Sequence, residues 1–577
     1  MKLNGNMQIN LSNGKKITLR PNDHIATGGE GSVYKKGKII IKLYSDIDRM
    51  RKNDFVKKIE LLSKINHPSI IAPQGVAVDY RHKPIGFFMP LAKGEALTRF
   101  FTNNFRQQEN FGDAQTTEVA KGMRKVVEYA HQNKMLLVDA NELNWLVDYK
   151  QGSKPNPLAI DVDSWSFGKW KPQVIMPSIR DWHSNSFNQL TDWFAWGVVT
   201  FQLYTGIHPY KGKLSGYKPI EMERRMKNNT SVFTKGVRLN RAVRDFGCIP
   251  AGLMDWYYNT FQKGLRTIPP TSFDKCGKIM QTARIMYATV NTFGLLIFDR
   301  LYKAKKSDLI RKVFVCGVVW LNSGELIDLS TQRSIGRVFG NRCEVIEVKN
   351  GWLVADITSA KVNFFYINST SLQSQQLVLP AKFRRVFRYE NRLFVVTENR
   401  LNEIVLHNFS KPILSLKESC GILGNSTKWF DGVGVQDSLG AMYLITPFGQ
   451  KSVAQVRAKE LDGLKPLVAK AGERFVTVAA IDTKGLYRKL EFAFDTNYQN
   501  YKFWQGGTDD VNLNIALLPK RVCATVIDDG QLNIFVPSSG AVNKISDKNI
   551  STKMILNNWG DKVLCHKDDC VWQVRLK

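Results

Sequence analysis

The sequence predicts an α+β domain over residues 1–288 followed by an all-β domain over residues 289–577. Three observations make that division. Strand-like alternation near the start gives way to segments with helical periodicity, the pattern of a mixed domain. From about residue 290 only short strand–turn–strand units remain, at a roughly even spacing. A chain of 577 residues also exceeds what one hydrophobic core spans.

Composition bounds the function classes. Hydrophobic content of 43% with 11% aromatics is that of a folded protein. The formal net charge is +31, from 82 Lys+Arg against 51 Asp+Glu, and both halves share the excess without a basic arm. Such a surface attracts an acidic partner or nucleic acid at low salt, although zinc-finger spacing and an aromatic RNP motif are absent. The eight cysteines are scattered; Cys565 and Cys570 around His566 make half of a metal site at most, so unpaired thiols are expected. The polar start MKLNGNMQINL is not a secretory signal, and no apolar run approaches the ~18 residues of a membrane span. A soluble, cytoplasmic protein with no membrane contact is expected.

The first elements form a nucleotide cradle. Gln8–Leu11 and Ile17–Leu19 alternate around Ser12-Asn13-Gly14-Lys15, a hairpin with an Asn-Gly turn. Next comes Ala26-Thr27-Gly28-Gly29-Glu30-Gly31-Ser32-Val33-Tyr34, then the strand Ile39-Ile40-Ile41-Lys42. Glycines let backbone amides approach phosphate oxygens, and a lysine one strand later reaches the same phosphates. Phe55–Ile65 has helical spacing and stops at Asn66-His67-Pro68.

The stretch from His131 to Asp163, HQNKMLLVDANELNWLVDYKQGSKPNPLAIDVD, sets Asp139 and Asn144 in a polar loop between apolar runs and ends a third run with Asp161. Phosphoryl transfer needs a carboxylate near the attacking hydroxyl and oxygen ligands for a metal on the phosphates. Asp139, Asn144 and Asp161 are those groups. Their order and the D-x4-N spacing resemble the catalytic centre of the protein kinases, with Asp161 at the metal-binding Asp of the DFG motif and Val162-Asp163 in place of its Phe-Gly.

Other landmarks fall in order along residues 8–288. Gly28, Gly31 and Val33 match the glycine-loop pattern, with Ala26 at its first glycine; Gly29 lies within it, and Lys42 matches the strand lysine. Ile40 stands where a small residue usually lies over adenine. Ile85–Gly94 resembles the hinge, with Met89 as gatekeeper, Pro90 offering a carbonyl and Ala92 an amide; Leu146 falls at the floor beneath adenine. Thr116–Gln132 is predicted as the helix that delivers the catalytic loop, and Thr191–Val199 as the buried central helix, with Asp192 and Gly197 in its motif. Arg266 matches a late structural arginine, for which Asp181 is the available partner.

Departures are equally specific. The glutamate expected to pair with Lys42 is Lys58, which leaves Asp54 or Glu60 as substitutes, or Lys42 unpaired. Asn141 replaces the lysine after the catalytic Asp, and Leu137-Val138 replaces the His-Arg before it, so activity is expected without activation-loop phosphorylation at Ser164, Ser166 or Ser178. Asp163 adds a carboxylate for a second metal or a local turn cap. GFFMP, GGEGSVY and the Asn-rich loop resemble atypical bacterial and phage kinases of eukaryotic type, which implies a bilobal domain with the N-lobe over about residues 1–92 and the C-lobe over 93–288.

In the second half, Gly351–Ala355 pairs by pattern with Phe364–Ile367, Asn391–Val396 with Glu403–Leu406, and residues 520–526 with Leu532–Val536. Similar units centre near residues 315, 435, 480 and 567, at roughly the spacing of propeller blades. A β-propeller with six or seven blades is expected, a β-sandwich or two smaller β domains being the alternatives. The resemblance then implies an ATP- and Mg²⁺-dependent kinase acting on Ser/Thr of a protein substrate, with Lys42 and Asp139 catalytic and the propeller choosing the target. The rivals are a pseudokinase scaffold and a basic nucleic-acid-binding protein.

Overall fold

The computed structural model describes residues 5–171, 175–218, 220–239, 242–273, 286–287, 296–305, 308–358, 361–379, 381–409, 411–449, 452–508, 511, 513–518, 522–526, 531–536, 541–547, 549–551 and 553–577. The expected boundary at residue 288 lies outside them.

Seven strands, β1 (Met7–Leu11), β2 (Lys16–Leu19), β3 (His24–Thr27), β4 (Gly31–Lys36), β5 (Ile39–Tyr44), β6 (Gly75–Val78) and β7 (Pro84–Pro90), form one antiparallel sheet in the order β2-β1-β6-β7-β5-β4-β3. Gly14 takes the left-handed turn position of the first hairpin, at φ 84°. After β5 come α1 (Ile47–Lys52), capped by the Asp46 side chain on the Arg49 amide, and α2 (Phe55–Leu62). Helix α2 buries Phe55, Ile59 and Leu62, one stripe at helical spacing.

The second lobe opens with β8 (Glu95–Ala96) and α3 (Asn103–Gln108), then α4 (Asp113–Gln132). Helix α4 starts three residues before its apolar periodicity suggests. Its first turn is polar, with Gly112 N–H donating to Gln115, so only the later turns carry the buried Val119, Met123, Val126, Val127 and Ala130. Strands β9 (Trp145–Asp148) and β10 (Asn156–Ala159) pair with each other and β9 with β8, holding the catalytic-loop stretch at the lobe's edge. Helix α5 (Gln189–Thr205) is capped by Asn188 at one end and by left-handed Gly206 at the other. Every residue from Thr191 to Thr205 is buried, so a continuous apolar run here is a core post. Two more helices, α6 (Met222–Lys227) and α7 (Ala251–Phe261), complete the lobe; a Cβ at Gly197 would lie 2.8 Å from the Trp256 ring, which explains the glycine.

The remainder is all β: six consecutive four-stranded antiparallel sheets over residues 310–337, 342–377, 385–421, 427–457, 465–507 and 515–545, and a seventh joining both ends. In that seventh sheet Leu296–Lys303 pairs with Cys570–Leu576, beside Lys562–Lys567 and Ile555–Trp559. The three strand pairs read from the sequence are adjacent antiparallel strands. Each sheet has four strands rather than the two the pattern reveals, because outer strands such as Ser374–Leu377 and Ala541–Ile545 are mostly exposed and show no alternation of apolar and polar residues.

The halves are in direct contact. Tyr487, with Ala479, Ile481 and Val511, joins the hydrophobic core of the helical lobe. Its hydroxyl bonds Gln202 of α5 and donates to Glu142 at 3.3 Å, while the Lys211 ammonium lies 4.2 Å from its ring centre.

Candidate active site

Lys42, on the interior strand β5, is buried, and its ammonium donates to three carboxylates: Asp161 Oδ1 at 2.8 Å, Asp163 Oδ2 at 2.8 Å and Glu30 Oε2 at 3.2 Å. The substitute partners expected on or before helix α2 are not used. Asp54 pairs with Lys169 at 2.7 Å and Glu60 is exposed. Asp163, at the position of the missing motif glycine, is the buried partner, fixed also by the Tyr44 hydroxyl at 3.1 Å. Lys58, where a glutamate was expected, donates to the Asp163 carbonyl at 2.5 Å. The cation and the carboxylate have exchanged elements: helix α2 supplies an ammonium, and the loop after Asp161 supplies the carboxylate that the helix lacks.

The electrostatics follow. Burial would lower Lys42, but Asp161 and Asp163 outweigh it and hold the ammonium well above its ordinary range. Burial likewise pushes Asp161 up, yet Lys42 brings it below the usual carboxylate range. In Asp163, burial wins over Lys42, aided by the charge of Asp161, and lifts the carboxyl to about 6.

Helix α5 sets the catalytic loop. Asp192 is buried and accepts the Leu137 amide at 2.8 Å, the Val138 amide at 2.9 Å and His131 Nε2 at 3.0 Å. These bonds hold Val138 at φ 61°, a left-handed conformation that costs a β-branched residue about 1–3 kcal/mol. The next residue is Asp139. Its Oδ1 accepts the Met176 amide at 2.9 Å, and burial raises its carboxyl against the pull of that bond. Asn144 donates its side-chain N–H to the Asp139 carbonyl at 2.7 Å, and Asp161 sits in the left-handed region at φ 60°.

The glycine loop is shaped by close approach at one point and open space at another. A Cβ on Gly31 would lie 2.2 Å from the Leu43 carbonyl oxygen, whereas one on Gly29 would meet nothing within 4 Å. Thr27, just before the loop, is held by the β region: its amide donates to Asp437 Oδ2 at 3.0 Å and its carbonyl accepts Lys465 at 3.3 Å.

Most of the sequence-derived site residues share one cavity. Lys42, Gly28, Gly29, Gly31, Val33, Met89, Asp139, Asn144, Leu146 and Asp161 line it; Ile40, Pro90 and Ala92 are not among its lining residues, although Ile40 lies opposite Met89 across β5 and β7. Arg266 makes the expected pair with Asp181, Nε to Oδ2 at 2.6 Å and Nη2 to Oδ1 at 2.8 Å. Ser178 is buried, with Gly485 of the β region against its side chain, and its carbonyl accepts His208 Nε2 at 2.8 Å. Burial drives that histidine down to about 3, so it stays neutral. Cys565 and Cys570 are unpaired, and no metal-holding group of three His, Cys, Asp or Glu occurs among the described residues.

Sequence reasoning missed the parts of Glu30, Asp163, Asp437 and Lys465. Asp437 and Lys465 stand more than 400 residues from Thr27 in the chain, and no local pattern links them.

The family described as protein tyrosine and serine/threonine kinase matches over residues 25–235. This stretch is a protein kinase domain. It runs from the end of the first strand hairpins to the region after α6, and includes the glycine loop, Lys42, Asp139, Asn144, Asp161 and α5. Two relatives from Arabidopsis thaliana are similar to the chain: wall-associated receptor kinase-like 5, 25% identical over 32% of this chain and 27% of its own length, and wall-associated receptor kinase-like 6, 20% identical over 37% and 36% respectively. The chain thus spans about a third of the length of these relatives. No helix among the described residues is long and apolar enough to cross a membrane.

Proposed function

We propose that this chain is an ATP-dependent protein kinase that transfers the γ-phosphate to Ser or Thr hydroxyls of a protein substrate. The observation that carries the reading is the Lys42–Asp161–Asp163 cluster, which supplies a paired phosphate-binding lysine without the missing helix glutamate. Lys42 would hold the α- and β-phosphates, and the glycine loop would lay its amides over them. Asp139, in hydrogen-bond reach of the Met176 amide and aimed by the Asp192 anchor, would orient the acceptor hydroxyl and take its proton.

The donor set fits a magnesium ion. Asp161 and Asn144 offer one carboxylate and one amide oxygen in the same cavity, and magnesium is commonly held by one or two carboxylates plus substrate phosphates rather than by a full protein cage. Bound there, the ion would neutralise charge developing on the phosphates.

We read the seven four-stranded sheets as blades of a seven-bladed propeller. Their sequential order and the shared sheet at the two ends of the region support this. Its task in this reading is to hold the glycine loop and to present substrate. The test is γ-labelled ATP with Mg²⁺ and the full chain, wild type beside Asp161→Asn, scored for transfer to itself and to added proteins. Transfer abolished by the substitution is expected; no transfer together with no thermal shift by nucleotide would refute the reading and favour a scaffold.

A further inference from the structure

The cavity holding the candidate catalytic residues has a volume of ≈ 2480 Å³, against the roughly 300–1,000 Å³ of a single small-molecule site. Space for a nucleotide therefore leaves space for more. The two walls differ sharply in charge. The kinase-domain wall carries seven Lys/Arg and six Asp/Glu; the wall from the β region carries eleven Lys/Arg and only Glu344 and Asp431 as carboxylates. Some of those cations are internally matched, as Lys312 is with Glu344 at 2.9 Å. Arg385 and Lys428 are not: among the described residues neither has a carboxylate within ion-pair distance.

Their surroundings are cationic. Arg385 is brought down to about 10 by burial and by the nearby Arg342 and Arg99, with Glu95 and Glu344 offsetting part, and Lys428 to about 8 by burial and Lys465, Asp437 offsetting only part. Lys428 nevertheless keeps accessible surface, because it faces the cavity. Cations crowded on one wall repel one another, and an anion entering the cavity would relieve that repulsion.

The approach to Asp139 is limited on its other side. Gly485 is against Ser178 and near Met176, and Tyr487 bonds Glu142, three residues beyond Asp139. The cavity itself reaches Asp139 and is lined in the same space by the basic wall.

We infer that the β-region wall around Arg385 and Lys428 binds an acidic peptide segment of the protein substrate, and so selects acceptors flanked by Asp or Glu. This rests on the proposed kinase reading for the word acceptor, but not for the binding. A peptide is favoured over a polynucleotide by the layout of charge. Around Asp139 the carboxylates Glu30 and Asp161 call for a neutral hydroxyl, while the β-region wall of the same cavity calls for negative charge. A peptide separates the two along its length; a polynucleotide carries a phosphate at every unit.

The test is fluorescence anisotropy with the full-length protein and no nucleotide, using three labelled peptides of equal length: Ser flanked by Glu, by Ala and by Arg, each at low and high salt. The Glu peptide should bind at least tenfold more tightly than the Ala peptide, with the advantage shrinking in salt. Arg385→Met with Lys428→Met should remove most of that advantage; should the pair fail to fold, Lys428→Met alone should reduce it severalfold. Equal affinity for the Glu and Ala peptides, an advantage undiminished by the substitutions, or tighter binding of an oligouridylate of matched length would each overturn the inference. Because binding is read without ATP, Glu-peptide binding here together with no transfer in the separate γ-labelled ATP assay would refute the kinase reading and leave this one standing. Transfer to Ala and Glu peptides alike, with equal affinities, would do the reverse.

Discussion

Asp163→Asn tests whether the exchanged ion pair does the work of the absent helix glutamate. The side chain is nearly fully buried, and its Oδ2 lies 2.8 Å from Lys42 Nζ. Substitution by Asn preserves shape and removes charge. A charge-assisted bond of this kind is worth about 1.5–3 kcal/mol, and Asp161 and Glu30 remain beside the ammonium, so the loss should not exceed that range. At about 1.4 kcal/mol per decade, kcat/KM for ATP should fall about ten- to a hundredfold. The decisive step is Asp163→Gly combined with Lys58→Glu, which returns the carboxylate to helix α2. Lys58 already reaches the Asp163 carbonyl, so the position is in range of the cluster. The double variant should recover at least tenfold over Asp163→Gly alone, while Lys58→Glu alone, adding a fourth carboxylate to the cluster, should be no better than wild type. Initial rates of transfer and Mg·ATP titration by thermal shift provide the assay. Full activity in Asp163→Asn, or no coupling between positions 58 and 163, would refute the reasoning.

Three other outcomes are expected. Asp437→Ala strands the Thr27 amide, and by about 1 kcal/mol should raise the KM for ATP roughly fivefold while kcat stays within about twofold; unchanged KM would show that the β region does not hold the glycine loop. Asp163 has a folded-state carboxyl raised to about 6, so its contribution to stability is present below the ordinary carboxylate range and is lost as pH rises through about 6; the Tm of Asp163→Asn should fall less than that of wild type between pH 4 and 7. Gly31→Ala forces a Cβ onto the Leu43 carbonyl and should cost about 1–3 kcal/mol, read as a lower Tm, whereas Gly29→Ala, facing open space, should leave Tm unchanged.

The sequence determined the elements whose signal is local. The glycine loop, the lysine strand, the D-x4-N loop, the apolar run of α5 and the paired central strands of the β sheets are all legible, because each is written in residue types at fixed short spacing. Even the Asp181 partner of Arg266 could be named, since the protein kinase pattern brings those two regions together. What only the tertiary structure decided is how charges are shared across the chain. Lys58 reads as a broken motif until folding sets Asp163 beside both Lys42 and Lys58, some 120 residues from Lys42 in sequence. Coulomb interaction depends on distance in space and on burial, and neither is encoded in local spacing. The same holds for the outer strands of the β sheets, whose exposed residues reveal themselves only through backbone pairing, and for Asp437 and Lys465 on Thr27, which meet because the two halves pack against each other beside the nucleotide cradle.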